Sequence, residues 1–127
     1  MKNNKKYTLG IVIAKRELEF IDNGLESKII IKIGKPRKDK EIEDEYYCPF
    51  IILGIGKENV QVAFGVDSVQ AIELAFNMIG ALMKVYYQRI YPNKITWNND
   101  SRLGFPLPDT PEEMLKKERQ WKKKMKK

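Results

Sequence analysis

The chain has 127 residues, of which 43% are hydrophobic and 32% charged, and its formal net charge is +7. That length and balance predict a single globular domain with a core of its own. One cysteine and no histidine exclude an intrachain disulfide, a Ser-His-Asp triad and a zinc cluster of known spacing. We therefore expect no catalytic residue, metal, cofactor or small-molecule ligand.

The positive charge lies at the two ends of the sequence. Residues 1–6 contain three lysines and no acid, and residues 111–127 contain eight basic and three acidic residues. The stretch between them, 7–110, is close to neutral, with 13 basic and 14 acidic residues. A domain that binds nucleic acid usually has a basic face on the fold itself, so only the ends are suited to phosphate contacts.

The apolar segments of the sequence are too short to predict a membrane span or a signal peptide. The run at 9–14 is too short for a signal-peptide core and leads into Lys15 and Arg16. No segment approaches the ~18 unbroken apolar residues that a membrane-spanning helix needs. The sequence therefore predicts a cytoplasmic protein.

A β-hairpin is predicted for residues 8–34. Residues 8–20 are rich in β-branched side chains, and their apolar alternation changes phase near Ala14–Lys15, which indicates a β-bulge. Asn23-Gly24 is a favoured hairpin turn. Residues 27–34 alternate cleanly, with three inward positions: Ile29, Ile31 and Ile33.

Two more strands follow a charged loop. Residues 35–45 contain almost no apolar side chain and predict a solvated loop. Residues 46–56 read as a third strand, with Pro49 expected at its start or at a sheet edge because proline lacks an N–H. Residues 60–66 form the fourth, with Val60, Val62, Phe64 and Val66 on one face. The short links predict a four-stranded antiparallel meander.

One long helix follows the fourth strand. Asp67 or Ser68 is placed to cap it, and Gln70 completes a capping box, so this polar group is structural. A helix of roughly 22–24 residues, ending before Tyr91-Pro92, is predicted to lie on the sheet through an i, i+3, i+4 apolar series. The series is Val69, Ile72, Phe76, Ile79, Met83, Tyr86 and Ile90.

The same helix is apolar around most of its circumference. A second set of apolar residues widens its first face: Ala71, Leu74, Met78, Ala81 and Val85. A helix that lies on one sheet needs an apolar arc of only about 100°. Two covers fit the remainder, namely the apolar residues of 95–108 or a protein partner, including a second copy of the chain.

The chain ends in a predicted basic helix. We divide the chain into a single α+β domain, 1–109, and a basic helix or tail, 110–127, with Thr110 as a cap and Pro111 at the first position. This helix is either simply solvated or binds RNA, an acidic partner or a membrane surface. Its candidate contact residues are Lys116, Lys117, Arg119, Trp121, Lys122, Lys123 and Lys124.

The remaining polar and reactive residues favour structural roles. Cys48 has apolar neighbours and no nearby basic partner, so a buried packing role fits better than a nucleophile. Glu17 and Glu19 share a strand face and are expected to be solvated. The glycine-rich stretch 53–59 lacks the spacing of a phosphate-binding loop.

Four motifs in fixed order resemble a family of small bacterial proteins known only as a domain of unknown function. They are Arg16-Glu17-Leu18, Ile33-Gly34-x-Pro36, Cys48-Pro49-Phe50 and Gly65-x-Asp67-x-x-Gln70-Ala71. The resemblance covers about residues 14–83. It implies the order strand, turn, strand and helix start, and it brings no established activity.

These observations predict an α+β domain and a non-enzymatic function. The leading hypothesis is a bacterial protein that binds another protein, as an immunity-type inhibitor of a toxin or as an adaptor. The alternative hypothesis is a nucleic-acid-associated protein that binds through its basic C-terminal helix.

Overall fold

The computed structural model describes residues 7–42, 44–107 and 111–125. The chain forms an antiparallel sheet with one long helix packed on it, so the α+β class is confirmed. The strands are β1 (Val12–Asp22), β2 (Leu25–Gly34), β3 (Arg37–Lys38), β4 (Tyr46–Leu53), β5 (Gln61–Gly65) and β6 (Ile95–Thr96). The helical segments are α1 (Ser68–Ala81), a π-helical turn (Leu82–Tyr87), α2 (Gln88–Ile90) and α3 (Pro111–Met125).

In the described part of the chain the sheet has six strands rather than the four predicted. The predicted strands are β1, β2, β4 and β5, and each pairs antiparallel with the next. Two short strands extend this meander: β6 pairs with the outer edge of β1, and β3 pairs with β4 beyond the end of β2. Both have only two residues, which is too short for the alternation that marks a strand in sequence.

The β1–β2 hairpin has the predicted turn. Asn23 and Gly24 both have positive φ, 53° and 79°, as a type I′ turn requires. The predicted bulge is present, between Val12 and Ala14, slightly before the expected place. Beyond it the strands pair without a shift.

The prediction for Pro49 was wrong, because this residue lies inside β4. Tyr46 and Tyr47 pair with β3, and Phe50–Leu53 pair with β2. On this edge of β4, Cys48 and Pro49 fall between the two ladders and pair with neither β3 nor β2. On the other edge both residues pair with β5. Such an interruption is where a sheet accommodates a residue without an N–H donor.

The loop at 35–45 was predicted to be simply solvated, and it contains a buried carboxylate instead. Asp39 is 3% exposed and accepts hydrogen bonds from Glu41 N–H at 2.8 Å and Ile42 N–H at 3.2 Å. Tyr7 Oη donates to the same carboxylate at 3.0 Å. Asp39 therefore orders the turn between β3 and β4.

The core lies between α1 and one face of the sheet. Ile29, Ile31 and Ile33 point inward as predicted. On β5 the buried residues are Ala63 and Gly65, so Val62 and Phe64 face away from the helix. The face of β5 that packs against α1 therefore consists of the two small residues Ala63 and Gly65.

The predicted helix extends from Ser68 to Ile90, but the predicted inward face was partly wrong. The most buried line is Ala71, Ala75, Ile79 and Met83. After Met83 the π-helical turn rotates the following residues. Tyr86 and Ile90 are therefore 54% and 51% exposed, whereas Tyr87 is half-buried. A π turn inserts about one extra residue per turn, and this shifts the apolar series by one position.

The polar group at the helix start is a helix cap, as predicted, but the return hydrogen bond of the predicted capping box is displaced by one residue, from Asp67 N–H to Val66 N–H. Asp67 is the N-cap, and its Oδ1 accepts from Gln70 N–H at 2.8 Å. Gln70 Oε1 accepts from Val66 N–H at 2.8 Å. Ser68 is the first helical residue rather than the cap.

We expect Asp67→Ala to lower the free energy of unfolding by about 1 kcal/mol, because an N–H of the first turn loses its acceptor. Ser68→Ala is the matched control and should change it by a few tenths of a kcal/mol. Urea unfolding followed by circular dichroism measures both. Equal losses in the two variants would contradict the assignment of Asp67 as the cap.

Candidate protein-binding surface

One line of apolar side chains on the long helix lies to the side of the contact between helix and sheet. We call Leu74, Met78, Ala81 and Val85 the outer stripe. The spacings of four and three residues place Leu74, Met78 and Ala81 along one side of α1. Val85 lies in the π-helical turn, which rotates it from that side toward the neighbouring polar residues, so it continues the stripe at a slant. Leu74 is 39% exposed, Met78 36% and Val85 54%, and Ala81 is half-buried. The stripe is thus accessible although the helix is already packed on the sheet.

A polar line runs beside the outer stripe. Glu73, Asn77 and Lys84 are exposed, and Gln88 is half-buried. Glu73 is near the N-terminal end of the stripe and Lys84 near its C-terminal end. The flank therefore has a negative and a positive end separated by eleven residues.

Part of the helix is covered by the chain itself. We call residues 101–107 the covering segment. It crosses the helix at Gly80, where an added Cβ would meet the Pro106 carbonyl oxygen. Phe105 packs against Phe76 with ring centroids 6.2 Å apart, and Leu103 is buried. Intramolecular cover, one of the two alternatives, is therefore present here, but it leaves the outer stripe accessible.

Arg16 holds the covering segment in place. Its Nη1 donates to the Leu103 carbonyl oxygen at 3.0 Å. Its guanidinium lies 3.9 Å from the centroid of the Trp97 ring and 4.9 Å from that of Phe105. This role was not predicted. The sequence did contain one indication of it: Arg16 lies two residues before the buried Leu18, so it is on the inward face of β1.

Glu19 is more than the solvated acid that was predicted. Its carboxylate accepts from Thr96 Oγ1 at 2.6 Å and from the N–H groups of Asn99 at 3.2 Å and Asn98 at 3.3 Å. These hydrogen bonds, that of Thr96 foremost, lower the pKa of Glu19. The carboxylate thereby fixes the turn that leads into the covering segment. Glu17, by contrast, pairs at the surface with Lys28 at 3.2 Å and Lys15 at 3.5 Å.

Cys48 is buried as predicted. Its side chain is fully enclosed, and its Sγ lies 3.5 Å from the Gly34 carbonyl oxygen. Burial raises the pKa of this thiol to about 11. The thiolate that nucleophilic chemistry needs is therefore scarce at neutral pH.

The π-helical turn also shapes a cleft of about 410 Å³ at the far end of the helix. Tyr86 and Tyr87 stack edge to face with centroids 4.9 Å apart. Tyr87 lies against Gly56, whose positive φ of 65° turns the β4–β5 loop toward the helix. The cleft is lined by Ile55, Gly56, Lys57, Tyr86, Tyr87, Ile90 and Tyr91.

The predicted basic contact residues lie on α3. Its described side chains, those of Glu112, Glu113 and residues 115–125, are all exposed. Trp121 thus lies at the surface beside the lysines at 122–124. The predicted cap Thr110 and the last two lysines lie outside the described residues. The division of the chain after residue 109 stays a prediction.

The comparisons with known proteins assign a family without an activity. The family model described as domain of unknown function (DUF6968) matches residues 14–107. The chain belongs to this family. The match includes the sheet except for the first two residues of β1, the long helix and the covering segment, and it excludes α3. Neither the curated proteins nor the solved structures gave a match.

The described residues contain neither a membrane-spanning helix nor a metal-binding cluster. None of the helices described is both long and apolar enough to cross a membrane. Across 7–42, 44–107 and 111–125, no group of acidic or cysteine side chains is arranged to hold a metal ion.

We expect Gly80→Ala to destabilise the protein by about 1–3 kcal/mol, because the new methyl group displaces the covering segment. In an open helix the same change stabilises by about 1 kcal/mol. Urea unfolding measures this loss, and Trp97 fluorescence in a Trp121→Phe background reports the displacement. Asn77→Ala, at an exposed position of the same helix, is the control. A stabilised Gly80→Ala variant would show that the covering segment does not pack on the helix.

Proposed function

We propose that this protein is a protein-binding module and that the outer stripe is its docking surface. One observation carries the proposal. Three large apolar side chains of the stripe remain accessible after the helix has packed on the sheet and the covering segment has crossed it. A contact that removes such side chains from water gains about 25 cal/mol per Å² of apolar surface.

The chemistry of the stripe favours a partner with an apolar helix or groove. Apolar residues one helical turn apart are the anchors by which a helix docks on a matching surface. Met78 adapts its shape to different contacts because its side chain is unbranched and flexible. The polar line beside the stripe supplies charges that fix orientation. An immunity-type inhibitor or an adaptor has these requirements, and neither role needs a catalytic group.

Met78→Glu tests the docking surface because it places a charge in the middle of the outer stripe. Val69→Glu is the matched control, since Val69 is exposed on the same helix but off the stripe. Tagged versions of both variants and of the wild type are incubated with host lysate, and captured proteins are quantified by mass spectrometry. We expect a stoichiometric protein, which includes untagged copies of this chain, to be retained by Val69→Glu and depleted at least tenfold by Met78→Glu. Identical capture by all three would contradict the proposal.

A second candidate function is nucleic-acid binding through α3. It is favoured by the exposure of every described side chain of this helix, including Trp121 among lysines. Lysines neutralise phosphates, and an aromatic ring stacks on a base. The near-neutral charge of residues 7–110 limits such binding to α3 and the N-terminal lysines.

Replacing Lys122, Lys123 and Lys124 with glutamate tests this second function. We expect the affinity for a labelled single-stranded RNA to fall at least tenfold and to lose most of its salt dependence, because phosphate contacts release bound counterions. Fluorescence anisotropy across a salt series measures both. The control reverses Lys35, Lys38 and Lys40, an equal change in charge at three exposed positions. Equal losses in both triple variants would show that net charge, rather than α3, governs the affinity.

A further inference from the structure

We infer that the chain on which the outer stripe docks is a second copy of the protein, with the two helices antiparallel about a two-fold axis. This inference rests on the proposed function and names its partner. It follows from two forms of self-complementarity, one in the apolar stripe and one in the charges beside it.

The apolar stripe is complementary to itself when reversed. Its midpoint lies between Met78 and Ala81. A two-fold axis at that point places Met78 opposite Ala81 of the partner subunit and Leu74 opposite Val85 of the partner subunit. The flexible methionine then enters the space that alanine leaves, as side chains do where two helices interdigitate. Each pair occurs twice, so the whole stripe is matched.

The charges beside the stripe select the antiparallel orientation. Glu73 and Lys84 lie on the same flank and are about 16 Å apart along the helix axis, at 1.5 Å per residue. They are too distant to pair within one helix. In the antiparallel arrangement Glu73 comes beside Lys84 of the partner subunit, and the pair is repeated by symmetry. In a parallel two-fold arrangement the two polar flanks would lie on opposite sides of the interface, so neither Glu73 nor Lys84 would meet a charged partner.

The extent of the surface indicates a weak, reversible dimer. The stripe covers about three turns of helix, which is less than the ~800 Å² per partner of a standard stable interface. Leu107 is exposed and lines the same cavity as Lys84 and Gln88, so it adds apolar surface on the far side of the polar line. We therefore expect a dissociation constant in the micromolar range, as for transient interfaces.

Charge-swapped copies provide the test. Glu73→Lys and Lys84→Glu are made singly and together, and sedimentation equilibrium measures the dimer dissociation constant of each. We expect each single variant to weaken the dimer about tenfold or more, because two attractive pairs become repulsive. The double variant restores the pairs and should return to within about threefold of the wild type.

A mixture of the two single variants distinguishes pairing between subunits from a structural defect. An equimolar mixture of Glu73→Lys and Lys84→Glu copies should form a heterodimer with about the wild-type affinity, since both of its contacts are attractive again. Circular dichroism of each variant confirms that the helix is intact. A structural defect would weaken the mixture as much as its components, so recovery in the mixture reports pairing between subunits.

Three outcomes would overturn the inference. A wild-type protein that stays monomeric up to about 1 mM excludes the dimer, because transient interfaces associate well below that concentration. If the protein is monomeric but the wild type captures a different protein from lysate and Met78→Glu does not, the docking surface stands and only the identity of its partner is wrong. A dimer that tolerates both single charge swaps has another geometry. A dimer that also tolerates Met78→Glu lies elsewhere on the protein and contradicts the docking surface as well.

Discussion

The close contact between α1 and β5 determines how the rest of the helix is used. Gly65 lies directly under the first turn, where an added Cβ would come within 2.5 Å of Ala71 N. Ala71 and Ala75 of the helix and Ala63 of the strand are all buried in the same core. Since small residues occupy this line of contact, larger apolar residues such as Leu74 and Met78 lie to the side. The accessible outer stripe is therefore a consequence of how closely helix and sheet approach.

The π-helical turn modifies the second half of the same helix. Before it, the helix contacts the sheet through Ala71, Ala75 and Ile79. After it, Tyr87 and Tyr91 turn toward the core, and Tyr91 packs edge to face on Phe20 with centroids 5.0 Å apart. Tyr91 is followed by the chain that forms β6 and the covering segment. The turn thus joins helix packing to the placement of Arg16 and Glu19, whose hydrogen bonds hold that chain against β1.

The sequence was sufficient for features that depend on neighbouring residues. The Asn23-Gly24 turn, the bulge of β1, the helix cap at Asp67 and the limits of the long helix each follow from a few consecutive residues with strong preferences. The inward face of the helix was predicted less well. The large apolar residues of the 3.6-residue pattern were assigned to the core, whereas the sheet selected the alanines beside them.

Features that depend on distant residues were missed. Arg16 bonds to a carbonyl 87 positions later, and Glu19 accepts from residues 77 to 80 positions later. Asp39 and the interrupted ladder at Pro49 likewise depend on how strands pair. The outer stripe was anticipated only as an excess of apolar residues, because its composition does not distinguish a covered face from an accessible one.

The central claim is that the outer stripe serves association and contributes little to the fold. The most direct measurement is the free energy of unfolding of the double variant Met78→Gln and Val85→Gln, at protein concentrations low enough to keep the chain monomeric. We predict a change within about 1 kcal/mol, as for surface positions, against a loss of about 2–5 kcal/mol for Ile79→Ala in the core. A loss in the double variant as large as that of Ile79→Ala would place these side chains in the core and contradict the account.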